Sequence, residues 1–496
     1  MKILLVNPEF PETYWSFRYA LPFEGKRSVF PPLGLMTVSG LLPRSCERRL
    51  VDLNVERLKD SQIEWADMVF ITGMLAQKVS LHETVKRCKE RGKLIVLGGP
   101  YVTSTIEELP YADHIFQGEA ETTLPQFFTD LERGEAKRIY KAPERPPMSL
   151  APVADFGLVN HKKYSCMSVQ YSRGCPFSCE FCDIIEIYGR VPRTKSNQQM
   201  IAEFDALKQL GWRGPLFIVD DNFIGNKKHV RQLLPDLIEW QKKNGYPFSL
   251  LTEASVNLAD DDDLLTAMKD AGFRRVFLGI ETPVEESLKE AQKSQNRGNL
   301  LESVRRIQSH GMEVMAGFIV GFDNDPDDIF ERQIDFIRES AIPMAMVGML
   351  NALPDTQLWK RLEREGRLLG ADATGNNTIA TVNFIPKMDT DTLIKGYQRI
   401  MRTIYKPSEY YRRALDSLQR VLPHDVPEAH QYHGFKAVKA FVRIAFKLGV
   451  LDAERREFWR FFLQAARQHH DRMTELLRHA AMAYHFRKLN ESYGDT

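Results

Sequence analysis

Short runs of Val, Ile, Leu and Phe recur along the chain, each followed by a stretch of helical periodicity, and this alternation limits the fold more than any other feature. In the first 140 residues the runs are KILLVN, RLVDLNV, DMVFIT, KLIVLGG and HIFQGE. They are short, branched and apolar on both faces, as strands covered on two sides must be. Helical stretches such as LHETVKRCKERG lie between them, so the spacing predicts a doubly wound parallel sheet. The rhythm returns over residues 168–354 with SVQYSRG, LFIVDDNF, FSLLTEAS, RVFLGIET, VMAGFIVGF and MVGMLNAL. Six strands joined by crossover helices predict a partial (β/α)6 barrel, with its chemistry at the strand C-termini.

A proline-dense stretch, KAPERPPMSLAPVADF, separates the two series, and beyond Lys387 only helical periodicity remains. The expected organisation is therefore a ligand-binding domain over 1–140, a linker over 141–165, a barrel over 166–385 and a helical region over 386–496.

Glycines follow several of the first strands: Gly73, Gly98, Gly99 and Gly118, the last beside Glu119. Glycine lets backbone approach a large ligand closely, and ligands of doubly wound sheets sit at the strand C-termini. None of these loops reads G-x-G-x-x-G, so nothing supports a dinucleotide there.

A net charge of +1 gives no general attraction to nucleic acid. Residues 401–496, however, hold 17 Lys and Arg against 11 Asp and Glu. This is a solvated helical face or a surface for an anionic partner or membrane headgroups. No apolar run reaches membrane-span length, the amino terminus lacks a signal-peptide pattern, and six cysteines make no disulfide scaffold. A cytoplasmic protein is expected.

Three of those cysteines are clustered in CPFSCEFC: Cys175, Cys179 and Cys182. Structural zinc and ordinary iron–sulfur electron carriers take four protein ligands, and no second C-x-x-C exists to complete the set. Cys46, Cys88 and Cys166 read as plain thiols.

C-x3-C-x2-C after the first strand of a barrel, with Phe181 before the last cysteine, resembles the radical S-adenosylmethionine (SAM) superfamily. The resemblance implies a 4Fe–4S cluster on Cys175, Cys179 and Cys182, with SAM chelating the fourth iron. It implies that Phe181 packs near adenine, and that Asp220, Asp221 and Asn222 of VDDNF are candidates for the SAM amino group. Glu253 and Ser255 of TEAS would lie near the methionyl or ribose part. GFIVGFD is similar to the family's G-x-I-x-G-x-x-E, so Gly317, Ile319 and Gly321 would shape the adenine pocket, although Asn324 replaces the final Glu. The bland alternatives are a cap after a strand for Asp220 and Asp221, and an ion pair with Arg274 or Arg275 for Glu253 and Glu281.

Together with the amino-terminal sheet, the segments PPLGL, DLNVE, GGPYVTS and GEAE resemble the cobalamin-binding radical SAM class. That resemblance implies cobalamin over Gly73, Met74, Gly98, Gly99, Gly118 and Glu119. The D-x-H-x-x-G signature is absent, since Asp113 and His114 are adjacent, so no histidine is expected below cobalt. A flavodoxin-like docking module is the alternative for this domain. The implied reaction is methyl transfer to an unactivated carbon, with a ferredoxin, flavodoxin or reductase as electron donor. The tail resembles that of hopanoid methylases and their bacteriochlorophyll-pathway relatives, which implies a small-molecule or lipid substrate and peripheral membrane contact through the C-terminal helices. The rivals are a cobalamin-dependent cyclase or rearrangement enzyme and a non-catalytic iron–sulfur or corrinoid sensor.

Overall fold

A computed structural model describes residues 1–104, 109, 111–296, 298–370, 374–376, 379–424 and 435–494. The amino-terminal sheet contains β1 (Lys2–Asn7), β2 (Glu47–Asp52), β3 (Met68–Thr72), β4 (Leu94–Gly98), β5 (His114–Gln117) and β6 (Ile139–Lys141). Its order is β2-β1-β3-β4-β5-β6, every pair parallel. Alternate residues serve the two faces: Leu4, Val6, Val69 and Ile71 enter one buried cluster, while Ile3, Leu5, Met68 and Phe70 enter the other. The chain reverses direction of winding at β1, so the switch-point crevice lies beyond the ends of β1 and β3. The sixth strand extends the expected five. It has three residues and buries only Tyr140, too short a pattern to separate from the proline-rich linker.

The second sheet contains β7 (Met167–Val169), β10 (Gly214–Ile218), β11 (Phe248–Ala254), β12 (Phe273–Glu281), β13 (Glu313–Val320) and β14 (Ala345–Met349). Their order, β14-β13-β12-β11-β10-β7, is all parallel and leaves β7 and β14 as edges, so the six-stranded barrel is partial. The run SVQYSRG does not stay in it. After Val169 the chain departs to form β8 (Ser172–Arg173), antiparallel to β9 (Arg193–Thr194). Asp220, just past β10, fixes that departure. One carboxylate oxygen accepts from Tyr171 N at 2.7 Å and the other from Ser172 N at 2.8 Å and Ser172 Oγ at 2.6 Å.

Helices Thr390–Ile404, Pro407–Arg420, Phe435–Phe446, Arg455–Gln468 and Met473–Gly494 form the tail. Its last helix returns to the barrel and to the start of the chain. Arg478 pairs with Glu313 at the foot of β13 at 2.5 Å, and Phe486 stacks on Tyr14 at 4.7 Å.

Candidate active site between the two sheets

The cysteine loop begins at Gly174, whose φ of +97° is a conformation that side chains resist and where a Cβ would come within 2.7 Å of the Gly189 carbonyl. Cys175 N donates to that same carbonyl at 3.1 Å, and Cys182 N to the Cys179 carbonyl at 3.2 Å. Cys179 is buried and accepts from Gln295 Nε2 at 3.4 Å, while Cys175 and Cys182 are half-buried. Burial pushes the Cys175 and Cys182 thiols up. Against this stands the Lys293 ammonium, paired with Glu281 Oε1 at 2.6 Å and lying 5.8 Å from the Phe181 ring. Lys293 favours the anionic form of the Cys175 and Cys182 thiols. Glu180, inside the motif, bonds Arg361 at 2.5 Å and ties the loop to helix Gln357–Arg364.

Among the described residues, no three His, Cys, Asp or Glu side chains are set to hold a single metal ion. Three thiols on one short loop beside a buried ammonium suit a wider group bonded through three thiolates. The donor set therefore fits a 4Fe–4S cluster and does not form a preshaped mononuclear zinc site. Cys46, Cys88 and Cys166 lie apart as buried thiols, the last two pushed up by burial to about 11 and about 12.

Three carboxyls gather at the ends of β10 and β11, Asp220 buried and Asp221 and Glu253 half-buried. Burial raises Asp220 to about 6 and Asp221 to about 7; burial, with the charges of Asp221 and Asp220, raises Glu253 to about 8. Asp221 receives Gly174 N at 3.3 Å. Asn222 and Ser255 bond each other, Asn222 Nδ2 to Ser255 Oγ at 3.1 Å and Ser255 N to Asn222 Oδ1 at 3.2 Å. Asp220 is spent on the β7 departure, so Asp221 and Glu253 are the acids of this group best placed to meet a cationic ligand. Of the alternatives weighed from sequence, Asp220 does cap backbone, that of Tyr171 and Ser172 rather than a helix, and Glu281 pairs with Lys293.

Within β13 a Cβ on Gly317 would come within 3.2 Å of the Phe277 ring, and just past the strand Gly321 adopts φ +105°. Asp325 Oδ2 accepts from Gly321 N at 2.8 Å and Phe322 N at 3.1 Å, and Asp325 Oδ1 from Ser287 Oγ at 2.7 Å. A carboxylate is thus present, one residue beyond the position where sequence shows Asn324. Phe181 packs with Phe322, rings 6.2 Å apart, in a cluster that includes Ile319.

The ends of both sheets face one cavity of about 590 Å³. The first sheet contributes Gly73, Met74, Gly98, Gly99, Gly118 and Glu119; the barrel contributes Ser168, Gln170, Arg173, Phe217 and Asp221; Asp183, next to Cys182, joins them. Gly99 has φ +98°, and a Cβ there would fall 2.2 Å from Thr72 Oγ1. This bare, glycine-lined floor is the shape a broad flat macrocycle needs, and it fits cobalamin. Met74 is 53% exposed. The locked residue of its loop is Gln77, which donates to the Pro8 carbonyl at 2.6 Å and accepts from Met74 N at 2.9 Å. His114 starts β5, at the opposite end of the sheet from the cavity, and its Nδ1 lies 2.7 Å from the Lys137 carbonyl.

The carboxylate of Glu119 is directed across the domain boundary. It pairs with Arg173 at 2.5 Å and Arg193 at 2.6 Å, and Glu121 also reaches Arg173 at 2.7 Å. All four side chains are largely buried. Only the backbone and stem of Glu119 are left for a cofactor. Sequence reading overlooked Lys293, Glu180, Asp325, Arg173 and Glu121. GEAE and CPFSCEFC did contain three signals in Glu121, Glu180 and the neighbouring Glu119, but their partners lie far along the chain.

Three family models match parts of the chain. Residues 27–128 match the B12 binding domain, 169–337 the radical SAM superfamily, and 356–495 a domain of unknown function, DUF4070. An uncharacterized methyltransferase of Synechocystis sp. is 42% identical over 92% of this chain and 86% of its own length. The hopanoid C-2 methylase of Rhodopseudomonas palustris is 34% identical over 93% of this chain and 89% of its own. Among solved structures, the cobalamin-dependent SAM radical enzyme OxsB matches with a TM-score of 0.62 at 16% identity, covering 100% of this chain and 80% of that one. The methyltransferase TsrM from Kitasatospora setae matches at 0.59 and 14%, covering 99% of each. The chain belongs to the cobalamin-binding radical SAM methyltransferases. Its cofactors are a 4Fe–4S cluster and SAM in the barrel and cobalamin on the amino-terminal sheet.

Proposed function

We propose that this enzyme methylates an unactivated carbon of a hydrophobic polycyclic lipid such as a hopanoid. The observation that carries the reading is the one cavity onto which the glycine floor of the first sheet and the residues directly after Cys182, from Asp183 to Tyr188, both open. The 34% identity to a hopanoid C-2 methylase along nearly the whole chain supports the substrate class, as do the apolar cavity walls at Phe30, Leu35, Val38, Phe217 and Val219. When bound, the cluster with SAM supplies hydrogen-atom abstraction and the corrin a transferable methyl group, which a carbon without lone pair or acidic proton requires.

The chain's own residues prepare that chemistry. Lys293 offsets the negative charge of the thiolates, Glu180 and Arg361 hold their loop, and Asp221 and Glu253 offer half-buried carboxyls to the cationic co-substrate. Asn222 and Ser255 fix each other at the strand ends. Arg173 and Arg193 clasp Glu119 and Glu121, holding the corrin domain against the barrel. A ferredoxin, flavodoxin or reductase supplies the electron. No described helix is long and apolar enough to cross a membrane, and the basic tail supplies a peripheral contact with the membrane that holds the lipid.

Expression in a hopanoid-producing host without its own methylase tests the reading. Hopanoids heavier by one methyl group support it; an unchanged lipid profile from soluble, iron-loaded enzyme contradicts the substrate class. A relative named anaerobic magnesium-protoporphyrin IX monomethyl ester cyclase, 22% identical over 429 residues, keeps cyclisation as the second reading. That outcome would give 5′-deoxyadenosine without S-adenosylhomocysteine.

A further inference from the structure

The stretch FKAVKAFVRIAFKLGVL, residues 435–451, contains four cations and no carboxylate. It folds as helix Phe435–Phe446 followed by a single π turn, Lys447–Leu451. One side is firmly seated. Ile444 and Leu448 are buried, and Arg443 reaches the carbonyls of Pro22 and Phe23, each at 3.3 Å. Trp459 donates its indole N–H to the Gly449 carbonyl at 3.0 Å, and any Cβ at Gly449 would lie within 2.7 Å of that ring.

The other side is open among the described residues. Val438, Val442, Phe446, Val450 and Leu451 are each between 56% and 59% exposed. Steps of four residues align Val438, Val442 and Phe446 along the helix, and the wider π turn carries the line to Val450 and Leu451. Single exposed apolar residues are ordinary, but a continuous ridge marks an interaction surface. Lys439 and Lys447 on this element, and Arg455 and Arg456 at the start of the next, are exposed beside it. Nearby acids are partly neutralised: Asp452 pairs with Arg487, and Glu457 with Arg460 at 2.9 Å. Apolar side chains flanked by cations match acyl chains beneath anionic headgroups.

We propose that the ridge Val438–Val442–Phe446–Val450–Leu451 docks the enzyme on an anionic lipid membrane. Arg443 ties this element to residues 22–23, and Ser28, Phe30 and Pro31 a few positions on line the cavity. Docking therefore places a lipid surface on the outer side of a helix whose inner side holds residues 22–23, close in sequence to the cavity wall. The purpose of the ridge rests on the lipid-substrate reading; its affinity for vesicles does not.

The full-length, anaerobically reconstituted enzyme is sedimented with vesicles of phosphatidylcholine alone or with added phosphatidylglycerol, neither containing a hopanoid. The enzyme is expected to bind the anionic vesicles at least about tenfold more tightly. The double variant Val442→Asp/Phe446→Asp and the pair Lys439→Glu/Lys447→Glu should each lose most of that gain, the second more steeply with salt. Both should retain iron and form 5′-deoxyadenosine as before. Equal binding to the two vesicles, or variants that bind like the parent, overturns the proposal. So does light scattering that shows a dimer broken by Phe446→Asp, which would make a second copy the occupant. Vesicle binding with unmethylated hopanoid would sink only the substrate reading.

Discussion

Where the barrel strands end, the shared cavity approaches free carboxyls; where the amino-terminal strands end, it meets glycine, apolar and neutral polar groups beside the arginine-paired Glu119 and Glu121. On the barrel side Arg173, Asp183 and Asp221 line it, and behind them stand Glu253, the Glu281–Lys293 pair and three thiols. Opposite lie Gly73, Gly98, Gly99 and Gly118. The difference follows the ligands. On the proposed reading a small charged co-substrate meets carboxyls whose pairings burial strengthens, and the cluster bonds through the thiolates. A macrocycle is held by shape, and side chains would be in its way. Buried charge crosses the boundary at the Arg173, Arg193, Glu119 and Glu121 cluster, which joins the halves.

The comparison breaks most sharply at the cysteines. Cys179→Ala should abolish iron–sulfur absorbance and all SAM cleavage, while hydroxocobalamin still binds, measured by iron content and the corrin band after gel filtration. Arg173→Ala strips two buried carboxylates of a shared partner. The expected cost is about 3–5 kcal/mol in denaturant unfolding, with the corrin domain loosened from the barrel. Arg173→Lys should recover only part of it, because one ammonium does not reproduce a fork reaching two acids.

A third test reads the charged end by pH. Glu253 is raised from an ordinary 4.5 to about 8. Between those values the folded apoprotein binds a proton that the unfolded chain releases, so its stability falls as pH rises through this window and levels off above it. Glu253→Gln should flatten the slope, by about 1–3 kcal/mol across the window. The smallest effect is expected at the glycine floor. Gly99→Ala forces a side chain into a positive-φ position facing Thr72. It should cost about 1–2 kcal/mol and weaken hydroxocobalamin binding, with iron content unchanged.

Much of this was legible because it is local. The βαβ rhythm announces both sheets, and the three cysteines sit within eight residues of one another. Strands of two or three residues, such as Ser172–Arg173 and Ile139–Lys141, carry too little pattern to be read. Lys293 lies in an irregular segment and acquires meaning only when folding brings it to Glu281 and Phe181. Glu119 looked like a cofactor ligand because GEAE follows a strand; its partner Arg173 lies 54 residues away. Asp325 supplies a loop-capping carboxylate one position late, a shift that sequence spacing alone records as a loss.

The central claim is that both cofactors act on one substrate in one cavity, and a product count tests it most directly. Reconstituted enzyme given SAM, reductant, cobalamin and hopanoid should release S-adenosylhomocysteine and 5′-deoxyadenosine in equal amounts, matched by methylated lipid. Deoxyadenosine accumulating with no homocysteine and no methylated product would contradict the account.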